Sequence, residues 1–169
     1  MKSFVLALAL SAAGGAGTAA AQSECSGIQV EGRTVVAENT FEVDFAPFGK
    51  ACFVTLGAEE TIRDPELHVY KGGRSVFRFA NPFEEEGGGC VVRAVAFDDL
   101  NLDGRRDVTV VGACQAAGAN FFPANTIYLN TGEGFEPDEF ASSQVNELET
   151  MRAVRAFVQK NRRKLFPRK

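Results

Sequence analysis

Ten residues, Asp98–Asp107 (DDLNLDGRRD), gather four carboxylates, one carboxamide and two arginines. Oxygen donors at this density suit either of two chemistries: proton and bond-breaking work by carboxylates, or capture of a hard cation. The spacing favours the cation. With Asp99 as the first position, Asn101 is third, Asp103 fifth, Gly104 sixth, Arg105 seventh and Asp107 ninth. Alternate side chains converge on one point when such a loop curls, and a glycine in sixth place permits the sharp turn. The seventh residue then offers its backbone carbonyl, and the ninth closes the site directly or through water. Ca²⁺ takes about six to eight oxygens in this manner, whereas Mg²⁺ keeps its waters and demands stricter geometry. Zinc fits poorly, because the single histidine, His68, is remote and the cysteines read as oxidised. The expected ligands are Asp99, Asn101, Asp103, the Arg105 carbonyl and Asp107, with Asp98 a bystander. The competing reading is a polar hairpin turn at Asp103-Gly104 whose acids are neutralised by Arg105 and Arg106.

No catalytic residues are expected. The chain has no G-x-S-x-G and no H-E-x-x-H, and a Ser–His–Asp site would need His68 by elimination rather than by any signal. Paired acids such as Asp98 and Asp99 could serve glycoside chemistry across a gap of about 5–10 Å, but they are better used on a cation.

The elements that position the loop are β-strands. The flanks CVVRAVAF (Cys90–Phe97) and VTVVGAC (Val108–Cys114) read as two strands joined by it. Position twelve is therefore Val110 in a strand, not the glutamate that an EF-hand helix–loop–helix requires. Ile28–Val36 and Phe41–Phe45 alternate apolar and polar residues, and Cys52–Leu56 is a further short strand. Glu66–Phe79 reads as a hairpin turning at Gly72-Gly73. Asn81–Gly89 is an acidic, glycine-rich connector, Gln115–Asn125 a loop, Thr126–Asn130 a strand, and TGEGF a turn. Near the C-terminus Leu148, Met151, Val154, Phe157, Val158 and Leu165 fall at helical spacing, predicting an amphipathic helix over 146–165 capped by Asn146. The expected class is mainly β, an antiparallel sandwich or open barrel-like sheet with one C-terminal amphipathic helix. There is no internal repeat of the length that builds a propeller or solenoid.

The residues DLNLDGRRDVTVV, followed by NTIYLNTGEGF, resemble a single FG-GAP/VCBS-type repeat. The likeness spans about Phe97–Pro137. It implies calcium at Asp99, Asn101, Asp103, the Arg105 carbonyl and Asp107, and a turn built on Asn130, Gly132, Gly134 and Phe135. It carries no activity. Members of that family often close a propeller from several repeats, and this chain has one. The architecture is also similar to small periplasmic inhibitors of lysozyme-like enzymes, although no inhibitory residue can be matched.

The rest of the chain sets the context. Lys2, the apolar Phe4–Leu10 and small residues ending at Ala19 and Ala21 predict a cleaved signal peptide over 1–21, leaving a single domain at 22–169. The residues before Cys25 are Gln22, Ser23 and Glu24, unlike a lipidation signal, and no apolar run reaches the ~18 residues of a membrane span. An exported location follows, periplasmic or extracellular. The four cysteines, Cys25, Cys52, Cys90 and Cys114, then predict two disulfides, in one of three pairings. If Phe97 faces Val108, Cys90 lies opposite residue 115, one away from Cys114, so Cys25–Cys52 and Cys90–Cys114 are preferred.

Once Lys2 is removed, 17 basic groups face 22 acidic ones, a net charge of −5. That excludes a general nucleic-acid binder. Six basic groups and no acids nevertheless crowd residues 160–169. The expected function is a non-enzymatic calcium-binding module for an unknown protein or glycan. The alternative is an inhibitor whose FEEEGGG or QAAGANFFPAN loop plugs a lysozyme-like enzyme.

Overall fold

The computed structural model describes residues 25–58, 63–84, 89–115 and 120–167. The expected signal segment 1–21, most of FEEEGGG and residues 116–119 lie outside the described residues. Two antiparallel sheets face each other as a sandwich. The first holds β1 (Arg33–Val35), β2 (Phe41–Phe45), β3 (Gly49–Ala58), β4 (Glu66–Lys71) and β5 (Arg74–Arg78). β1 and β2 share one side of the long β3, and β4 and β5 follow on the other. The second sheet is a meander of β6 (Val91–Asp98), β7 (Asp107–Gln115), β8 (Phe121–Asn130) and β9 (Phe135–Pro137). Two helices follow, α1 (Glu139–Val145) and α2 (Met151–Leu165).

Alternation along the strands sorts the side chains into three apolar layers. Between the sheets lie Val43, Phe45, Phe53, Leu67, Val69 and Phe79, packed on Val108, Val110, Tyr128 and Phe135. Phe79 is edge-on to Tyr128, with ring centroids 5.1 Å apart, and lies 4.9 Å from Phe135. The opposite residues of the second sheet, Val111 and Ile127, face the helices and meet Ala141, Val145, Val154, Val158 and Leu165. β7 is thus covered on both faces, which is why it reads as an almost unbroken apolar run. On the outer face of the first sheet, Cys25, Ile28 and Val30 fold over Val54, Leu56 and Tyr70.

Both disulfides form as expected, Cys25–Cys52 and Cys90–Cys114. The β6–β7 register keeps Phe97 opposite Val108, then shifts by one between Val92 and Ala94. That bulge at Arg93 removes the one-residue offset and sets Cys90 against Cys114. The β4–β5 turn has positive φ at both glycines, 57° at Gly72 and 75° at Gly73, as a tight hairpin requires.

Three boundaries depart from the sequence reading. Only Arg33–Val35 of the 28–36 run pairs as strand, because the preceding residues serve as the apolar cover of the first sheet. β8 begins at Phe121, well inside the expected loop; Pro123 is tolerated there because β9 pairs only with Tyr128–Asn130 and leaves that edge of β8 free. The C-terminal helix starts at Met151 rather than 146, and its N-cap is Thr150, whose hydroxyl accepts from the Ala153 amide. Asn146 instead ends α1. Its Oδ1 accepts the Asn125 amide at 2.7 Å, while the Asn125 Nδ2 donates to the Val145 and Leu148 carbonyls, also at 2.7 Å. This clamp satisfies carbonyls that a helix end leaves open.

Candidate functional site

The loop that joins β6 to β7 turns back through two residues of left-handed conformation, Leu102 (φ 63°) and Gly104 (φ 87°). Gly104 carries that conformation without strain. Leu100 is buried beneath the helices, as an inward-pointing residue should be. Leu102 is not: it is 55 % exposed, because its left-handed backbone turns the side chain outward.

Within the loop the expected ligands gather in two groups. Asp99 Oδ1 and Asn101 Oδ1 both accept from one amide, that of Asp103, at 3.1 and 3.0 Å. Asp99 Oδ2 accepts from the Gly104 amide at 3.0 Å. Asp103 lies against the same group through Asn101 Nδ2 at 3.3 Å, while its other oxygen accepts the Arg105 amide at 2.8 Å. Asp107 sits at the base of the loop with no exposed surface. Its two oxygens accept the Leu100 amide at 2.8 Å and the Asn130 amide at 2.9 Å. It thereby joins the β6–β7 loop to the end of β8.

Asn130 completes that junction. Its Nδ2 donates to the carbonyls of Ala46 (2.8 Å) and Arg106 (3.2 Å), and its Oδ1 accepts the Gly132 amide at 2.8 Å. The TGEGF turn, the β2–β3 turn and the β6–β7 loop are therefore fastened to one another at one end of the sandwich. Asp98 is no bystander to the fold: it takes Arg155 of α2 in a two-point ion pair, at 2.7 and 3.2 Å.

Electrostatically, the loop is short of positive charge. Burial pushes the Asp107 carboxyl up to about 6, against the two amides that hold it down, and the negative charges of Asp103 and Asp99 add to the rise. The nearest cation is Arg105, whose guanidinium meets Asp103 at 3.2 Å on a half-exposed side chain. Among the described residues no three His, Cys, Asp or Glu side chains are set together as a metal cage. Asp99 and Asp103 are turned onto the loop's own amides, and the donor set leans on an amide and a carbonyl as well as acids. Hard oxygen donors of this mixture suit Ca²⁺ and not zinc.

A second constellation escaped the sequence reading. His68 Nδ1 lies 2.9 Å from the Ser75 hydroxyl, and its Nε2 lies 3.1 Å from Glu66 Oε2. The signal was E-x-H on one strand, which alternation puts on one face; Ser75 joins them because the register shift between Val69 and Tyr70 sets it opposite Tyr70 on that face. Glu66 is also bound by Arg33 and Arg78, each at 3.3 Å. Burial raises its carboxyl, but the His68 hydrogen bond and the two guanidinium groups outweigh that and hold it below its ordinary value. The cleft beside Glu66, about 390 Å³, is lined by Arg78, Phe79 and Cys90 among others, and by neither Ser75 nor His68. These bonds tie Ser75 of β5 to Glu66 of β4 through the His68 ring.

At the opposite end of the sandwich the described stems of the two segments singled out as plugs are neighbours: Cys90 is bridged to Cys114, and a Cβ at Gly89 would lie 3.1 Å from the Gln115 carbonyl. The β3–β4 connection joins them, the Asp64 amide donating to the Cys90 carbonyl at 2.9 Å and the Gly89 amide to Asp64 Oδ1 at 2.8 Å. Phe121, 44 % exposed, lies between Arg63 and Arg93, whose guanidinium carbons are 6.0 and 5.6 Å from its ring centre. Half of QAAGANFFPAN, from Phe121 onward, belongs to β8, so the plug available from it is shorter than expected.

No family model, curated protein or solved structure matches the chain. No described helix is long and apolar enough to cross a membrane.

Proposed function

We propose that this chain is an exported, calcium-stapled β-sandwich that binds a protein or glycan partner and performs no catalysis. One observation supports the calcium assignment: Asp99 Oδ1 and Asn101 Oδ1 converge on one amide, that of Asp103, and the wholly buried Asp107 closes the loop below them. Asp99, Asn101, Asp103, the Arg105 carbonyl and Asp107 would hold the ion. The ion would supply the positive charge that Asp107 and Asp99 lack. Its role would be structural: it holds the β6–β7 hairpin at the loop end while Cys90–Cys114 holds the other.

Thermal melting tests this directly. Ca²⁺ should raise the melting temperature and a chelator should reverse the rise, by about 2.7 kcal/mol of stability at a hundredfold excess over Kd. Asp103→Ala should abolish the response. A calcium-independent wild-type melt would return the loop to a polar turn.

The inhibitor reading has one supporting feature, the stems of both plug segments at one end beside the Arg63–Phe121–Arg93 stack. Aromatic and arginine anchors of this kind dominate protein interfaces. Phe121→Ala should then abolish capture of a lysozyme-type enzyme while leaving the calcium response intact.

A further inference from the structure

α2 carries six basic residues and no acid in its fifteen. One of the six, Arg155, is paired with Asp98. The other groups conflict with one another: Lys160 lies three residues from Arg163 and four from Lys164, spacings at which like charges repel on a helix surface. A helix C-terminus welcomes some positive charge, but this segment holds more than its dipole needs. Arg33, Arg78 and Arg105 each have a carboxylate, whereas among the described residues no acid meets Lys160, Arg162, Arg163 or Lys164. The Arg162 Nε is buried without a hydrogen-bond partner.

These side chains are not spread over an open helix face. They form one wall of a groove of about 1000 Å³ between the end of α2 and the tip of the β6–β7 loop. Asn101 and the exposed Leu102 form the other wall, and Phe166 and Pro167 supply apolar surface at the helix end. At the upper limit of single-ligand pockets, roughly 300–1000 Å³, the groove has room for a short length of chain. The Gln159 amide on its wall can pair with a peptide backbone. A flat anionic bilayer would reach the rim and leave the floor empty.

We infer that this groove docks an acidic peptide segment of a partner protein, with carboxylates on the α2 cations and an apolar side chain against Leu102 and Phe166. The remainder of the mature chain, residues 22–159, is itself acidic, 11 basic against 22 acidic groups. That charge turns away other approaches of such a partner and steers it to this end. The inference does not rest on the calcium assignment.

The test uses the full mature chain and a short fluorescent peptide of aspartate and glutamate with one leucine and one phenylalanine. Anisotropy should rise to saturation at low salt and weaken as salt increases. The same peptide with its acids replaced by asparagine and glutamine should not bind. Charge reversal by Lys160→Glu with Arg163→Glu should weaken binding about tenfold or more. Leu102→Asn, which suits the left-handed backbone, should weaken it to a lesser degree. Unchanged melting temperatures would show that both variants remain folded. Absence of binding, or binding that charge reversal leaves intact, would overturn the proposal. Retention on phosphatidylglycerol vesicles that the peptide cannot displace would overturn it in favour of a lipid surface.

Discussion

Replacing Asp107 with alanine would strand the Leu100 and Asn130 amides in a site without water. An unsatisfied buried donor costs about 1–3 kcal/mol, so Asp107→Ala should lower stability by roughly 2–5 kcal/mol, with or without calcium. Asp103→Ala, whose side chain is partly exposed, should cost little in chelator and be felt only when calcium is added. Chemical denaturation of both variants in each condition separates a structural aspartate from one that serves the ion alone. Asp107 also gives the metal-free protein a pH dependence. Its folded carboxyl is raised from 3.8 to about 6, so the proton binds the folded state more tightly. Its contribution is fully present below 3.8 and is lost as pH rises through about 6. Glu66 works in the opposite sense: held below 4.5, it stabilises above that value and loses its contribution in more acidic solution. In chelator, Asp107→Asn should remove the decline between pH 3.8 and about 6. Which acids ring the loop was legible from spacing. That Asp107 would be the buried one was not, since its burial depends on Asn130 arriving from another strand.

At the scale of elements, sequence pattern was most informative where one residue run made one ladder. β2 follows its alternation closely, the β4–β5 hairpin turns at the expected glycines although its register shifts between Val69 and Tyr70, and the β6–β7 register was legible to within the bulge at Arg93. α1 was not legible. Seven residues do not sustain a periodic stripe, and this helix is held by tertiary bonds: Asp138 caps it by accepting the Ala141 amide, and Ser142 Oγ accepts the Ile127 amide. The break between α1 and α2 escaped notice for the same reason, because Asn146 is committed to β8. Gly112 marks another contact between elements. A Cβ there would lie 2.2 Å from the Phe83 ring and 2.9 Å from the Ala124 carbonyl. The ring can shift, but the strand backbone cannot easily follow. Gly112→Ala should therefore destabilise by about 1–3 kcal/mol, read as a lower denaturation midpoint with unchanged slope.

Across the whole molecule, the two disulfides guard different layers. Cys90–Cys114 lies in the central core, whereas Cys25–Cys52 fastens the N-terminal cover over Val54, Leu56 and Tyr70. Cys25→Ser with Cys52→Ser should leave the sandwich folded but lift that cover. The expected result is increased binding of a hydrophobic dye together with retained far-ultraviolet circular dichroism. Collapse of the entire fold would show instead that the cover is integral to the core. The sandwich also has two unlike ends, with the Asp98–Asp107 loop and the basic groove at one and Arg63, Phe121 and Arg93 at the other.

The bulge at Arg93 has a consequence in time. Cys90 and Cys114 become neighbours as soon as β6 and β7 zip together, with no help from the first sheet. Cys25 and Cys52 meet only after the N-terminal segment has wrapped over β3. During oxidative refolding the inner bridge should therefore be trapped first by an alkylating quench, and a chain arrested with only that bridge should already possess its second sheet. A one-residue irregularity in a ladder would thus set the order in which the thiols are consumed and keep scrambled pairings rare.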